Sequence, residues 1–169
     1  MIVENKIVSI FWGRSEIGPR ALGNRSIIMN PMIAENKDIL NARVKHRESF
    51  RPFAPAVLVE HLQEYFDMPR PEPYMLMVPL VKEDKRKLIP AVTHYDGTGR
   101  VQSVSKGLNK NFYELIELFY KKTGVPVLVN TSFNVAGEPV VESPIDAIKC
   151  FLGTGIDALL FENVLLIKK

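Results

Sequence analysis

Residues 124–139, GVPVLVNTSFNVAGEP, hold the stretch from which the architecture follows. Residues 125–129 are apolar almost without interruption, the pattern of a strand covered on both faces. Polar Asn130, Thr131, Ser132 and Asn134 then gather where the strand ends, the place ligands occupy in α/β sheets. A plain turn of small polar residues is the other reading of that cluster. Just upstream, Phe112, Leu115, Ile116 and Phe119 recur at helical spacing. This predicts a helix over 111–122 that ends with Lys121 and Lys122 near its negative pole and Gly124 as a stop. Downstream, Ser143, Pro144 and Asp146 form a helix start, with a capping hydroxyl, a first-turn proline and an early acid. The tail, DALLFENVLLIKK, reads as a hairpin about Glu162 and Asn163.

Towards the N-terminus the pattern is mixed. Strands are expected at 7–12, 27–29, 56–59, 75–81 and 91–95, and one starting at Val101. An amphipathic helix is expected over 35–44, with Ile39, Leu40 and Val44 on one side, and a short helix over 60–66. The mixed-sign run KEDKRK (82–87) reads as a solvated excursion. Helices and strands alternate irregularly, which predicts one α/β (α+β) domain over 1–169.

Composition narrows the class. Of 169 residues, 46% are hydrophobic and 24% charged, the balance of a globular chain with a core rather than of a disordered or coiled-coil one. No apolar run approaches the roughly 18 residues of a membrane helix. The first residues carry Glu4 and no signal-peptide pattern. A single cysteine, Cys150, excludes an internal disulfide; its helical setting suggests packing, and a reducing cytoplasm is the expected compartment. Net charge is only +3, yet residues 13–55 hold eight basic and four acidic side chains. The positive field belongs to one stretch, where Gly, Pro, Asn and Ser space the bases apart, as in a shaped anion pocket.

Three further segments bear cations. GRSEIGPRALGNRS (13–26) combines three glycines with Arg14, Arg20 and Arg25. Glycine allows close backbone approach, and arginine presents a planar fork to phosphate or carboxylate. It matches neither the phosphate-binding P-loop nor the dinucleotide fingerprint, and a surface turn with solvated arginines is the alternative. KHRESFRPFAP (45–55) sets Lys45, Arg47 and Arg51 close together with Glu48 as the local acid. If residues 45–47 are extended, alternation puts Lys45 and Arg47 on one side. HYDGTGR (94–100) adds Arg100 beyond a tight turn. Three scattered histidines and one cysteine offer no zinc motif, and Ser132 lacks a nucleophile-elbow setting. Many cations and small polar groups without an evident general base suit stabilisation of phosphoryl or acyl-phosphate charge by positioning.

At these four segments the chain resembles the C-terminal domain of the O-carbamoyltransferases that act on antibiotics and nodulation factors. The resemblance runs from Gly13 to the C-terminus. It implies a YrdC-like fold, a twisted mixed sheet with helices packed on it. It also implies binding of carbamoyl phosphate and ATP with Mg²⁺, and formation of carbamoyl adenylate with release of pyrophosphate. The pairs Lys45-x-Arg47 and Ser132-x-Asn134 are similar to the K-x-R and S-x-N pairs of that fold. On this basis Lys45, Arg51 and Arg20 are the expected catalytic residues. Arg47, Arg100, Asn130, Ser132 and Asn134 are the expected substrate and nucleotide contacts, with the three neutral side chains orienting the α-phosphate. No protein-held metal is expected. Family members are long chains in which a preceding Kae1-like domain performs transfer to the acceptor. That domain is absent from these 169 residues, so the chain is expected to be an excised piece or a stand-alone relative. Other classes of function are an RNA-binding module, which the small net charge disfavours, and a non-catalytic sensor of nucleotides or anions. No membrane partner is expected.

Overall fold

The computed structural model describes residues 1–168. Seven strands form one mixed sheet: β1 (Val8–Phe11), β2 (Arg25–Met29), β3 (Ala54–Leu58), β4 (Gln102–Val104), β5 (Val127–Ser132), β6 (Ala158–Phe161) and β7 (Val164–Ile167). Their order is β4-β3-β5-β2-β1-β6-β7. The apolar strand β5 lies inside the sheet, antiparallel to β2 on one side and to β3 on the other. Parallel pairing occurs between β1 and β6 and between β3 and β4. The α/β expectation therefore holds, with β5 covered as its composition requires: Val127, Leu128 and Val129 have no exposed surface.

The helices obey local signals. α4 (Lys110–Thr123) starts at Asn109, whose side chain accepts from the Phe112 amide, and ends at Gly124 in the left-handed conformation (φ 75°). Its apolar stripe buries Phe112, Ile116 and Phe119. α5 (Pro144–Gly153) carries a complete capping box, Ser143 and Asp146 each binding the other's backbone N–H. The C-terminal hairpin turns at Glu162 and Asn163 as expected.

Four expectations are corrected and two are refined. The helix expected over 35–44 is α-helical only as α1 (Asn36–Leu40) and then widens into a π-helical turn, Asn41–Lys45. His46 ends that turn in the left-handed conformation (φ 47°), so residues 45–47 are not extended and Lys45 and Arg47 are not placed by alternation. Residues 75–81 form no strand. The proline-rich approach and Pro79, which has no N–H to give, leave only single bridges, Phe66 to Val81 and Leu80 to Thr98. Residues 91–95 likewise form no strand, because Pro90 starts a 3-10 turn, Pro90–Val92. The charged run at 82–87 contains one helical turn, α3 (Glu83–Arg86), with no buried residue. The short helix expected over 60–66 is a 3-10 turn, Val59–His61, running into α2 (Leu62–Tyr65).

Candidate functional site

β5 delivers the first site groups. At its end Ser132 and then Asn134 face Lys45, the last residue of the π-helical turn. Lys45 Nζ lies 2.5 Å from the Ser132 carbonyl oxygen, 2.9 Å from that of Asn134, 2.8 Å from Asn134 Oδ1 and 3.3 Å from Ser132 Oγ. Ser132 Oγ donates to Asn134 Oδ1 at 2.6 Å, and Asn134 Nδ2 donates to the Glu138 carbonyl at 2.7 Å. Lys45 is buried. Burial and the neighbouring Arg47 charge pull its pKa down to about 7. Four oxygens at hydrogen-bond distance act the other way, since an ammonium donates three bonds and a neutral amine two.

The loop between β1 and β2 has a built-in brace. Glu16 Oε1 accepts from the amides of Leu22 (2.6 Å) and Asn24 (2.8 Å), which folds the segment carrying Arg20 back on itself. Its three arginines have different settings. Arg25 is buried, donates to the carbonyls of Trp12, Gly13 and Asn24, and stacks 3.6 Å above the Phe11 ring. Arg14 is exposed, and Arg20 faces a cleft. The 45–55 segment is tied down by Asn41, whose Nδ2 donates to the carbonyls of Ser49 and Arg51 and whose Oδ1 accepts from Arg47 Nε at 2.7 Å. Arg47 also lies over the Phe53 ring at 4.9 Å.

These segments meet at two hollows. One, of about 110 Å³, is lined by Arg20, Arg47, Arg100, Asn130, Thr131 and Ser132, with Pro52, Phe53 and Met75 among its walls. The other, of about 340 Å³, shares Arg20, Arg47, Pro52, Phe53 and Arg100 and adds Arg51, Val78 and His94. Side chains from four separated stretches thus converge, with Lys45 and Asn134 joined to the rim through Ser132. Burial first, and then the Arg20 charge, holds the Arg100 guanidinium below its usual pKa. Burial, Arg51 and Arg100 do the same to Arg47. Cations gathered this closely, two of them partly buried, suit an anion.

A larger cavity, about 660 Å³, lies between residues 135–142 and α5. Its walls mix Glu138, Glu142 and Asp146 with Lys149 and contain none of the converging arginines, so its charge does not suit phosphate. Cys150 lines it; burial raises its thiol pKa to about 11, in keeping with a packing role and an unreactive thiol.

The three neutral groups are engaged within the protein. Asn134 spends both ends of its amide within the protein, and the Ser132 hydroxyl hydrogen is given to Asn134, so neither donates freely to a phosphate in this state. Asn130 Nδ2 is occupied as well, donating to the Gln102 side chain at 2.7 Å and the Ala21 carbonyl at 3.2 Å. Sequence reading missed Gln102, His94 and the Glu16 brace. Gln102 and His94 fall inside or next to the HYDGTGR segment, but the burial of Gln102 and the half-buried place of His94 are products of tertiary packing. Among the described residues no three His, Cys, Asp or Glu side chains gather as metal ligands, and the hollows are walled by arginine. The arginine-rich lining of these hollows does not fit a resident Mg²⁺.

Comparison with known proteins bears on the same residues. A family model described as "Carbamoyltransferase C-terminus" matches residues 1–168. Nodulation protein NolNO of Sinorhizobium fredii is 50% identical over 171 residues, an alignment taking in 99% of this chain and 25% of that protein. Nodulation protein NolO of Bradyrhizobium diazoefficiens is 50% identical over 160 residues, with 93% and 29% covered. Nodulation protein U of Sinorhizobium fredii is 42% identical over 137 residues, with 81% and 24% covered. The chain spans 24–29% of the length of these relatives. Among solved structures, full-length HypF in its phosphate- and nucleotide-bound form superposes with a TM-score of 0.65 at 22% identity. The overlap covers 96% of this chain and 24% of that one, a likeness of fold.

Proposed function

As this chain belongs to the carbamoyltransferase C-terminus family, we propose that it carries the activation half of the reaction: formation of carbamoyl adenylate from carbamoyl phosphate and ATP. Carbamoyl phosphate first gives carbamate and inorganic phosphate with uptake of water. A carbamate oxygen then bonds to the α-phosphorus of ATP, and pyrophosphate leaves. Both steps move negative charge among phosphoryl oxygens, and fixed guanidinium donors stabilise such charge without rearranging at the moment of reaction. Arg20, Arg47, Arg51 and Arg100 supply those donors. Lys45, held by Ser132 and Asn134, adds a cation at the rim. A magnesium ion arriving with ATP would be held by phosphate and water. Transfer to the acceptor is assigned to the remaining length of the longer relatives.

The observation that carries this reading is the convergence of the four arginines on the joined hollows beside Lys45. The fold shared with HypF, a protein solved with phosphate and nucleotide bound, supports it. ATP–pyrophosphate exchange is the test. It should require carbamoyl phosphate and should fall at least a hundredfold in Lys45→Ala, with thermal unfolding still cooperative. Exchange that ignores carbamoyl phosphate, or persists in Lys45→Ala, contradicts the assignment.

A further inference from the structure

Asn130 is almost wholly buried at the end of β5 and lines the smaller hollow. The direction of its amide is fixed by main-chain carbonyls, which only accept. Gln102 Nε2 donates to the Leu22 carbonyl at 2.8 Å, which leaves Gln102 Oε1 facing Asn130. Asn130 must therefore donate through Nδ2 to Gln102 Oε1 and to the Ala21 carbonyl. Reversing the amide would set oxygen against oxygen at both contacts. The outcome is an orphan: Asn130 Oδ1 is buried and has no partner. A second orphan is the buried Nε of Arg100, a residue that lines the same hollow. One atom is an acceptor and the other a donor, and a buried polar group without a partner is unfavourable.

We propose that Asn130 is a specificity-determining residue, its Oδ1 accepting a hydrogen bond from the amino group of a carbamoyl ligand. This rests on the reading of the site as a carbamoyl phosphate site and deepens it. Asn130 Oδ1 has no use for a phosphate oxygen, because both are acceptors. It needs an N–H or O–H from the ligand. A carbamoyl group offers an N–H donor and a carbonyl acceptor on one carbon, the complement of the two orphans. A hollow of about 110 Å³ is small beside the roughly 300 Å³ at which pockets for larger organic ligands begin, so the nucleoside belongs in the adjoining larger hollow. Gln102 is a positioning residue: it touches no ligand but fixes which end of the Asn130 amide is free.

A site built to hydrogen-bond a substrate N–H rejects the analogue lacking it far more strongly than an apolar pocket could. Phosphonoacetamide and 2-oxopropylphosphonate share their charge and shape and differ in carrying an amino or a methyl group. Isothermal titration of the unaltered protein with each should give at least tenfold tighter binding of the amide. In Asn130→Leu and in Gln102→Met that ratio should fall towards one, while affinity for inorganic phosphate stays within about threefold. Equal binding of the two analogues by the unaltered protein overturns the proposal without any variant having to fold. So does a ratio that survives in a folded Asn130→Leu or Gln102→Met. Failure of both analogues and of inorganic phosphate to bind would instead remove the underlying carbamoyl phosphate reading.

Discussion

Lys45 pays for its burial in a lowered pKa. In the unfolded chain its amine titrates near 10.4, whereas in the fold it titrates near 7. Below pH 7 both states hold the proton and the full cost of burying charge is present. Between about 7 and 10 the unfolded chain binds the extra proton, so stability rises with pH. Relative to Lys45→Met, the native protein should gain roughly 1–2 kcal/mol of unfolding free energy between pH 7 and 8.5. Urea denaturation of both proteins across that range measures it; parallel curves would show that the four surrounding oxygens keep the ammonium charged throughout. Sequence reading named Lys45 from the basic cluster and Ser132 and Asn134 from the polar strand end, the family resemblance marked Ser132-x-Asn134 as a pair, and Lys45 meets that pair in the structure. It misjudged how: Lys45 reaches Asn134 through a π-helical turn and a left-handed His46, neither of which has a periodic signature.

At the scale of elements, the arginine-bearing loop between β1 and β2 contains two glycines with nearly equal positive φ. Gly18 has φ 123° and nothing within 4 Å of where a Cβ would stand. Gly23 has φ 120°, and a Cβ there would lie 2.4 Å from Cδ1 of Phe112, a side chain with no exposed surface. Gly18→Ala should cost only backbone strain, about 1–2 kcal/mol. Gly23→Ala adds a collision with a core ring that has nowhere to move, for a total of about 3–4 kcal/mol. Denaturant midpoints of the pair measure the difference; equal losses would mean that the loop, rather than α4, absorbs the contact. The same contrast explains what was legible. Elements with complete local signals, such as α4 with its stripe and caps or α5 with its capping box, follow from the sequence. Residues 75–81 carry strand-forming side chains but no partner strand, and the single bridges they make depend on where Thr98 and Phe66 arrive.

Across the whole molecule, charge is distributed so that the site is the unbalanced part. Among the described residues, the ion pairs join Arg43 to Asp157, Lys85 to Glu64 and Lys121 to Glu117, with others along the surface. Arg20, Arg47, Arg51 and Arg100 enter none of them. The loops that carry these four bring them to the same hollows, so the native state bears a repulsion that the unfolded chain escapes by spreading out. An anion in the hollows removes it, and binding to the native state alone stabilises by RT ln(1 + [L]/Kd), about 2.7 kcal/mol at a hundredfold excess over Kd. For a chain of this length each kcal/mol raises Tm by about 2–4 °C. Pyrophosphate at saturation should therefore raise Tm by about 5–10 °C, while sodium chloride at matched ionic strength raises it much less. Arg51 is exposed and holds nothing in place through its guanidinium, so Arg51→Ala separates repulsion from packing. Without anion its Tm should equal or slightly exceed that of the native protein, and its pyrophosphate shift should shrink. A lowered Tm with an undiminished shift would mean that Arg51 supports the 45–55 segment and takes no part in holding the anion.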